Sequence, residues 1–150
     1  MSRKKARKIA MQIAYSQIFN IPYTNDSLIA PYENVYNKVT ENEIIDDKEF
    51  IKDKEYIDFV VNGIKENVEK IDEIISRYLN AWTIDKISKV DLAILRLSTF
   101  EMMTFKDLPI SISISEAVNL AREYSEPKSV SFINGILASI SKSPEITRWI

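Results

Sequence analysis

The sequence predicts an all-α protein of about seven helices, in two helical subdomains packed together, residues about 1–80 and about 81–150. Three observations predict it. Apolar residues recur at helical spacing along most of the chain. Only two glycines, Gly63 and Gly135, occur in 150 residues, too few for turn-rich β architecture. The segment Ser88–Phe105 carries Val90, Leu92, Ala93, Ile94, Leu95, Leu97, Phe100, Met102, Met103 and Phe105. A helix apolar nearly all round is buried among other helices. At roughly 18 residues and ~1.5 Å each, it is a rod of about 27 Å, the width of a small domain.

Each element has its own signal. Residues 3–20 read as a first helix, with Ala6, Ile9, Ala10, Ile13 and Ala14 on one apolar face. A second stripe carries Lys4, Lys8, Met11 and Tyr15, with Arg7 close by. Pro22 ends the helix nearby. Pro31 suits the first turn of a short helix running to about Val39, and the acidic segment 40–47 reads as a loop. From Lys48 to about Lys70, Ile51, Tyr56, Phe59, Val60, Ile64 and Val68 mark a long amphipathic helix, in which Gly63 suggests a close helix crossing. Ile71–Leu79 continues as another helix. Trp82, Ile84 and Ile87 read as core anchors of the turn that follows.

Ser88 and Asp91 form a near-match to a capping box at the start of the apolar post, and Pro109 breaks the chain after it. Residues 110–115, ISISIS, alternate as a strand does. The alternative is a new helix capped by Ser113, with Glu116 completing the box and Ala117, Val118, Leu120 and Ala121 forming its face. The helix is preferred, because a lone strand has no partner elsewhere in the chain. A last helix runs from about Lys128 to Ser141 on Phe132, Ile133, Ile136, Leu137 and Ile140, and Pro144 closes it.

Composition excludes several classes of function. A hydrophobic content of 45% with 28% charged residues reads as soluble and globular rather than disordered. No run approaches the ~18–20 apolar residues of a membrane span. The basic N-terminus followed by IAMQIAYSQIF superficially resembles a secretion signal, but Gln12, Ser16 and Gln17 interrupt it. There is no cysteine and no histidine. Disulfides, thiolate or imidazole metal sites, and Cys or His catalysis are thereby excluded. The composition fits the cytosol. No cofactor is called for: Walker, G-x-S-x-G and Rossmann motifs are all missing. The acids lie mostly in runs that read as solvated faces, so no catalytic constellation assembles and the chain reads as a non-enzyme.

The net charge of −2 conceals a polarised molecule. Arg3, Lys4, Lys5, Arg7 and Lys8 crowd the N-terminus, and the first acid is Asp26. Basic residues at a helix N-terminus oppose the macrodipole by a few tenths of a kcal/mol each. That placement favours an external anion, and RNA phosphates fit it. Tyr15 either stacks on a base or closes the edge of the core. Asp85, Lys89 and Asp91 surround the start of the apolar post. They suit a protein partner, although capping and dipole complementarity explain Asp91 without one. The rival reading is a helical scaffold or homodimer whose basic helix touches no RNA.

Three ordered motifs, VDLAILRLSTFEM, DLPISISISEAVNLAREYS and SFINGIL, resemble the second half of the NusB family of bacterial transcription antitermination factors. RKKARKIAMQIAYSQ is similar to that family's basic first helix. The resemblance spans essentially the whole chain and is weakest between residues 22 and 70. It implies an all-α fold of two subdomains and a non-catalytic, cytoplasmic role. It further implies binding of boxA RNA in nascent ribosomal RNA transcripts jointly with NusE, a small-subunit ribosomal protein, within an RNA polymerase antitermination complex. The RNA surface implied is Arg3, Lys4, Lys5, Arg7 and Lys8, with Lys128, Ser129 and Phe132 at the start of the last helix. The surface implied for NusE gives Asp85 and Asp91. The basic cluster is lysine-rich where many relatives use arginine, which reduces bidentate phosphate contacts, and Lys128 stands where some relatives carry an acid. In FINGIL, Asn134 and Gly135 read as structural, Gly135 permitting a close helix approach. NusB-like domains also precede ribosomal-RNA cytosine methyltransferases. The lack of a Gly-rich S-adenosylmethionine loop and of a cysteine nucleophile favours a stand-alone factor. Some family members are thought to hide their RNA surface in a homodimer.

Overall fold

The computed structural model describes residues 2–19 and 47–147. The short helix expected after Pro31, and nearly all of the acidic loop, lie outside the described residues. Among the described residues there are seven α-helices, one 3-10 turn and no strand. They are α1 (Ser2–Ile18), α2 (Asp47–Glu66), α3 (Val68–Ser76), the 3-10 turn Ile84–Lys86, α4 (Lys89–Thr104), α5 (Ile110–Tyr124), α6 (Pro127–Ile140) and α7 (Pro144–Thr147). The chain divides into two compact units between Gly63 and Ile64. The sequence places that division near residue 80, yet α3 packs against α4 and α6 within the second unit. One helix expected over 48–70 is two, because the backbone turns at Asn67, whose N–H donates to the Ile64 carbonyl at 3.3 Å.

In the first unit, Ala6, Ile9, Ala10, Met11, Ile13 and Ala14 of α1 are buried, as are Tyr56, Ile57, Val60 and Val61 of α2. Burying a residue such as Ile57 stabilises by roughly 1.5–3 kcal/mol. Polar contacts also tie α1 to α2. The Arg3 guanidinium lies 4.5 Å from the Tyr56 ring centroid, a cation–π arrangement. Lys5 Nζ stands 3.9 Å from Glu49 Oε1.

The second unit is organised around α4, which packs against α3, α5, α6 and α7. Leu92, Ala93, Ile94, Leu95, Leu97, Phe100 and Met102 are all buried, as the apolar segment predicts. The helix begins where the capping signal places it, with Ser88 Oγ accepting from the Asp91 backbone N–H at 3.1 Å. The strand-like ISISIS is helical from Ile110 onward. Ser113 is therefore not its cap. It sits one turn inside, 2% exposed, and its hydroxyl donates to Glu101 Oε1 at 3.1 Å. Its carbonyl accepts from Ser98 Oγ at 3.3 Å. This polar seam gives a buried glutamate a partner.

Gly135 does not serve the close helix approach expected of it. A Cβ built there meets nothing within 4 Å, so no neighbouring helix approaches it. Trp82 is also no core anchor, being 56% exposed.

The last turn, α7, is held by a fork-to-fork pair. Arg77 Nη1 and Nη2 donate to Glu145 Oε1 and Oε2 at 2.9 and 2.8 Å, and Nη2 also reaches Glu73 Oε1 at 3.1 Å. The hydrogen bonds from Arg77 draw the Glu145 carboxyl down from 4.5 to about 2. A depressed folded-state value means that the stabilisation is present above pH 4.5 and is lost as pH falls toward about 2. Glu145→Gln is therefore expected to melt below the parent at pH 7, with the difference closing as pH falls through that window. Thermal unfolding at stepped pH checks it.

Candidate nucleic-acid interface

The basic face of α1 is partly committed to the fold. Its first turn holds no acid, so nothing in the helix offsets the positive end of its dipole. Lys4 is exposed and Lys8 half-buried. Arg3 lies over Tyr56 and Lys5 faces Glu49. Arg7 is only 5% exposed, so the structure withdraws it from the phosphate-facing set. At the far end of α1, Tyr15 is half-buried and packs edge-to-face on Phe19, with ring centroids 5.2 Å apart and planes at 69°. Phe19 is 52% exposed, which leaves an accessible aromatic pair.

In the second unit, the starts of α4 and α6 border a groove of about 810 Å³. Its lining includes Trp82, Lys86, Ile87, Val90, Tyr124, Lys128 and Phe132. The Lys128 side chain is 85% exposed and stands 3.4 Å from Glu126, which is also exposed. A solvated pair of this kind contributes about 0–1 kcal/mol and readily exchanges partners. Proline at the first position of α6 supplies the helix start without a side-chain cap.

Beneath the groove lies the feature that the sequence did not reveal. Asp91 is 5% exposed. Ser125 Oγ donates to its Oδ1 at 2.6 Å and Ser129 Oγ to its Oδ2 at 2.7 Å. Asp91 thus offers no carboxylate to a protein partner. It latches α4 to the start of α6. Ser129, expected at the RNA surface, is buried and spends its hydroxyl in the same latch. Asp85 is exposed and accepts from the Thr83 hydroxyl, and Lys89 is half-buried in the first turn of α4. The structure therefore brings Lys128, Ser129, Phe132 and Asp91 to one groove, which Trp82, Lys86 and Tyr124 complete. No spacing in the sequence marked these last three. Ser125, read only as part of a linker, had no signal of its own.

A family model described as the NusB family matches residues 4–142. The chain belongs to the NusB family. The transcription antitermination protein NusB of Clostridium botulinum (strain Kyoto / Type A2) is 38% identical over 146 residues, covering 93% of this chain and 99% of the relative. Among solved structures, NusB of T. maritima superposes with a TM-score of 0.72 at 32% identity, covering 98% of this chain and 95% of that one. A crystal structure of the antitermination factors NusB and NusE in complex with dsRNA matches with a TM-score of 0.70 at 25% identity, over 94% of this chain and 96% of that one. The all-α fold expected from the sequence is the fold of these NusB structures. Among the described residues, no helix is long and apolar enough to cross a membrane, and no group of acids could hold a metal ion.

Proposed function

We propose that this NusB-family protein is a non-catalytic antitermination factor of the cytoplasm. It binds boxA-type RNA in nascent ribosomal RNA transcripts, jointly with NusE, and joins the RNA polymerase complex that suppresses premature termination. The observation that carries this reading is the match, along 94% of the chain, to a NusB solved with NusE and RNA. The accessible amines of Lys4 and Lys128 support it, as does the aromatic groove at the start of α6. Phosphate contacts position the RNA and do not read its sequence. The NusE-facing surface is then the rim of Asp85 and Lys89, which Asp91 supports from beneath.

Fluorescence anisotropy with boxA and scrambled RNA, each with and without NusE, tests the proposal. Tighter binding of boxA, strengthened by NusE, is expected. Equal affinity for both RNAs with NusE present would sink the claim of specificity. A dimer mass in solution, with no salt-dependent RNA retention, would favour a homodimeric scaffold instead.

A further inference from the structure

Trp82 has no reason to be where it is if packing alone placed it. Tryptophan is a large apolar side chain that is usually highly buried. Here the turn that carries it is fixed: the Trp82 N–H donates to the Leu79 carbonyl at 3.0 Å. The residue two before it, Asn80, takes a left-handed φ of 57°, which asparagine tolerates better than most residues. A pinned backbone thus presents an indole that is 56% exposed.

Its surroundings give that exposure a direction. Trp82 and Phe132 line the groove of about 810 Å³ described above, and they also line a second depression of about 480 Å³. The first carries the amines of Lys86 and Lys128. The second runs along α6 past Ser131, Gly135 and Ser139, spaced four apart and hence on one helix face. The open space over Gly135 leaves its floor unobstructed.

We propose that Trp82 is a stacking platform for an unpaired base of single-stranded RNA, with flanking phosphates at Lys86 and Lys128 and the strand continuing over Gly135. This rests on the RNA-binding reading above and deepens it. Stacking on an exposed aromatic face is how single strands gain affinity without paired bases. RNA fits this surface better than a protein helix does. The shared wall is aromatic, the open rim carries two amines, and serine hydroxyls line the floor. Of the acids on the groove, Asp91 is closed off by two hydroxyls, and Glu126 is a solvated partner that a phosphate can replace at Lys128.

The chain has two tryptophans, so Trp149→Phe leaves Trp82 as the sole indole reporter. In that full-length variant, Trp82 emission and anisotropy are followed together while single-stranded boxA RNA is added. Emission is expected to be quenched along the same isotherm as anisotropy. Trp82→Ala should weaken binding about 5- to 150-fold, the range for loss of one stacked base. Trp82→Phe should recover most of that loss, and the slope of log K against log salt should not change, since no charge is removed. A merely structural Trp82 would not give unchanged slope together with quenching. RNA that binds by anisotropy with Trp82 emission unmoved and Trp82→Ala at parental affinity overturns the platform while leaving RNA binding intact. Absence of any anisotropy change, with NusE present as well as without it, overturns the RNA-binding reading and the platform with it. Quenching by NusE alone, with RNA adding nothing, assigns the indole to a protein contact and also overturns the proposal.

Discussion

Asp91→Ala is expected to lower stability by about 3 kcal/mol, although the residue lies on no catalytic or charge-rich surface. The carboxylate is nearly inaccessible and accepts from Ser125 and Ser129 at 2.6 and 2.7 Å. Hydrogen bonds to a charged acceptor contribute about 1.5–3 kcal/mol each, and truncation leaves the buried Ser129 hydroxyl without its acceptor. The relief of desolvating a buried charge offsets part of the sum. Asp91 also stands in the first turn of α4, where a negative charge complements the dipole by about 0.3–1 kcal/mol. Urea unfolding followed by circular dichroism checks this, with an unchanged m-value expected. Asp91→Asn should cost less, since the amide keeps the shape and one acceptor. Because the two serines share one carboxylate, Asp91→Ala and Ser129→Ala should be less than additive in a double-mutant cycle. If Asp91 instead met the partner directly, Asp91→Asn would abolish partner binding at unchanged stability. A parental unfolding midpoint for Asp91→Ala would remove the latch from the account.

The latch shows where sequence reading stops. Asp91 was legible as a first-turn acid, because capping is a local property of residues 88–91. Its real partners are 34 and 38 residues away, and no periodicity links them. Local signals served the helices well. Expected bounds of 128–141 for the last helix compare with Pro127–Ile140, and the apolar post matches Lys89–Thr104. They failed where one residue type admits two environments. Trp82 was assigned to the core because it is apolar, yet a pinned turn holds it outward. Gly135 was read as a close approach, whereas its missing side chain faces open space. Arg7 was grouped with Lys4 and Lys8 by charge. Its spacing of three and seven to Ala10 and Ala14 sets it at the edge of the apolar face, and it is buried there. In ISISIS the helix preferred over the strand pattern is the one that forms, and only its cap differs, because Ser113 lies inside the helix and bonds to Glu101 of α4.

Arg7 also decides how the basic helix should be tested. Reversing its charge would bury an uncompensated carboxylate and damage the fold, so loss of RNA binding there would say nothing about contact. The informative variant is Lys4→Glu with Lys8→Glu. Each phosphate contact with a single strand releases about 0.7 counterions. Losing two should lower affinity by about 25-fold at 0.1 M salt relative to a 1 M reference, and the charge reversal adds repulsion. The slope of log K against log salt should shrink by about 1.4. The stability effect has the opposite sign. The first turn of α1 carries no acid, and replacing Lys4 there by glutamate is favourable by a few tenths of a kcal/mol. The Lys4→Glu single variant should therefore melt no lower than the parent while binding RNA more weakly, a combination that unfolding does not produce. Salt titration by anisotropy, with thermal unfolding on the same sample, reads both. An unchanged slope would remove the start of α1 from the RNA surface and leave the charge contacts to Lys86 and Lys128.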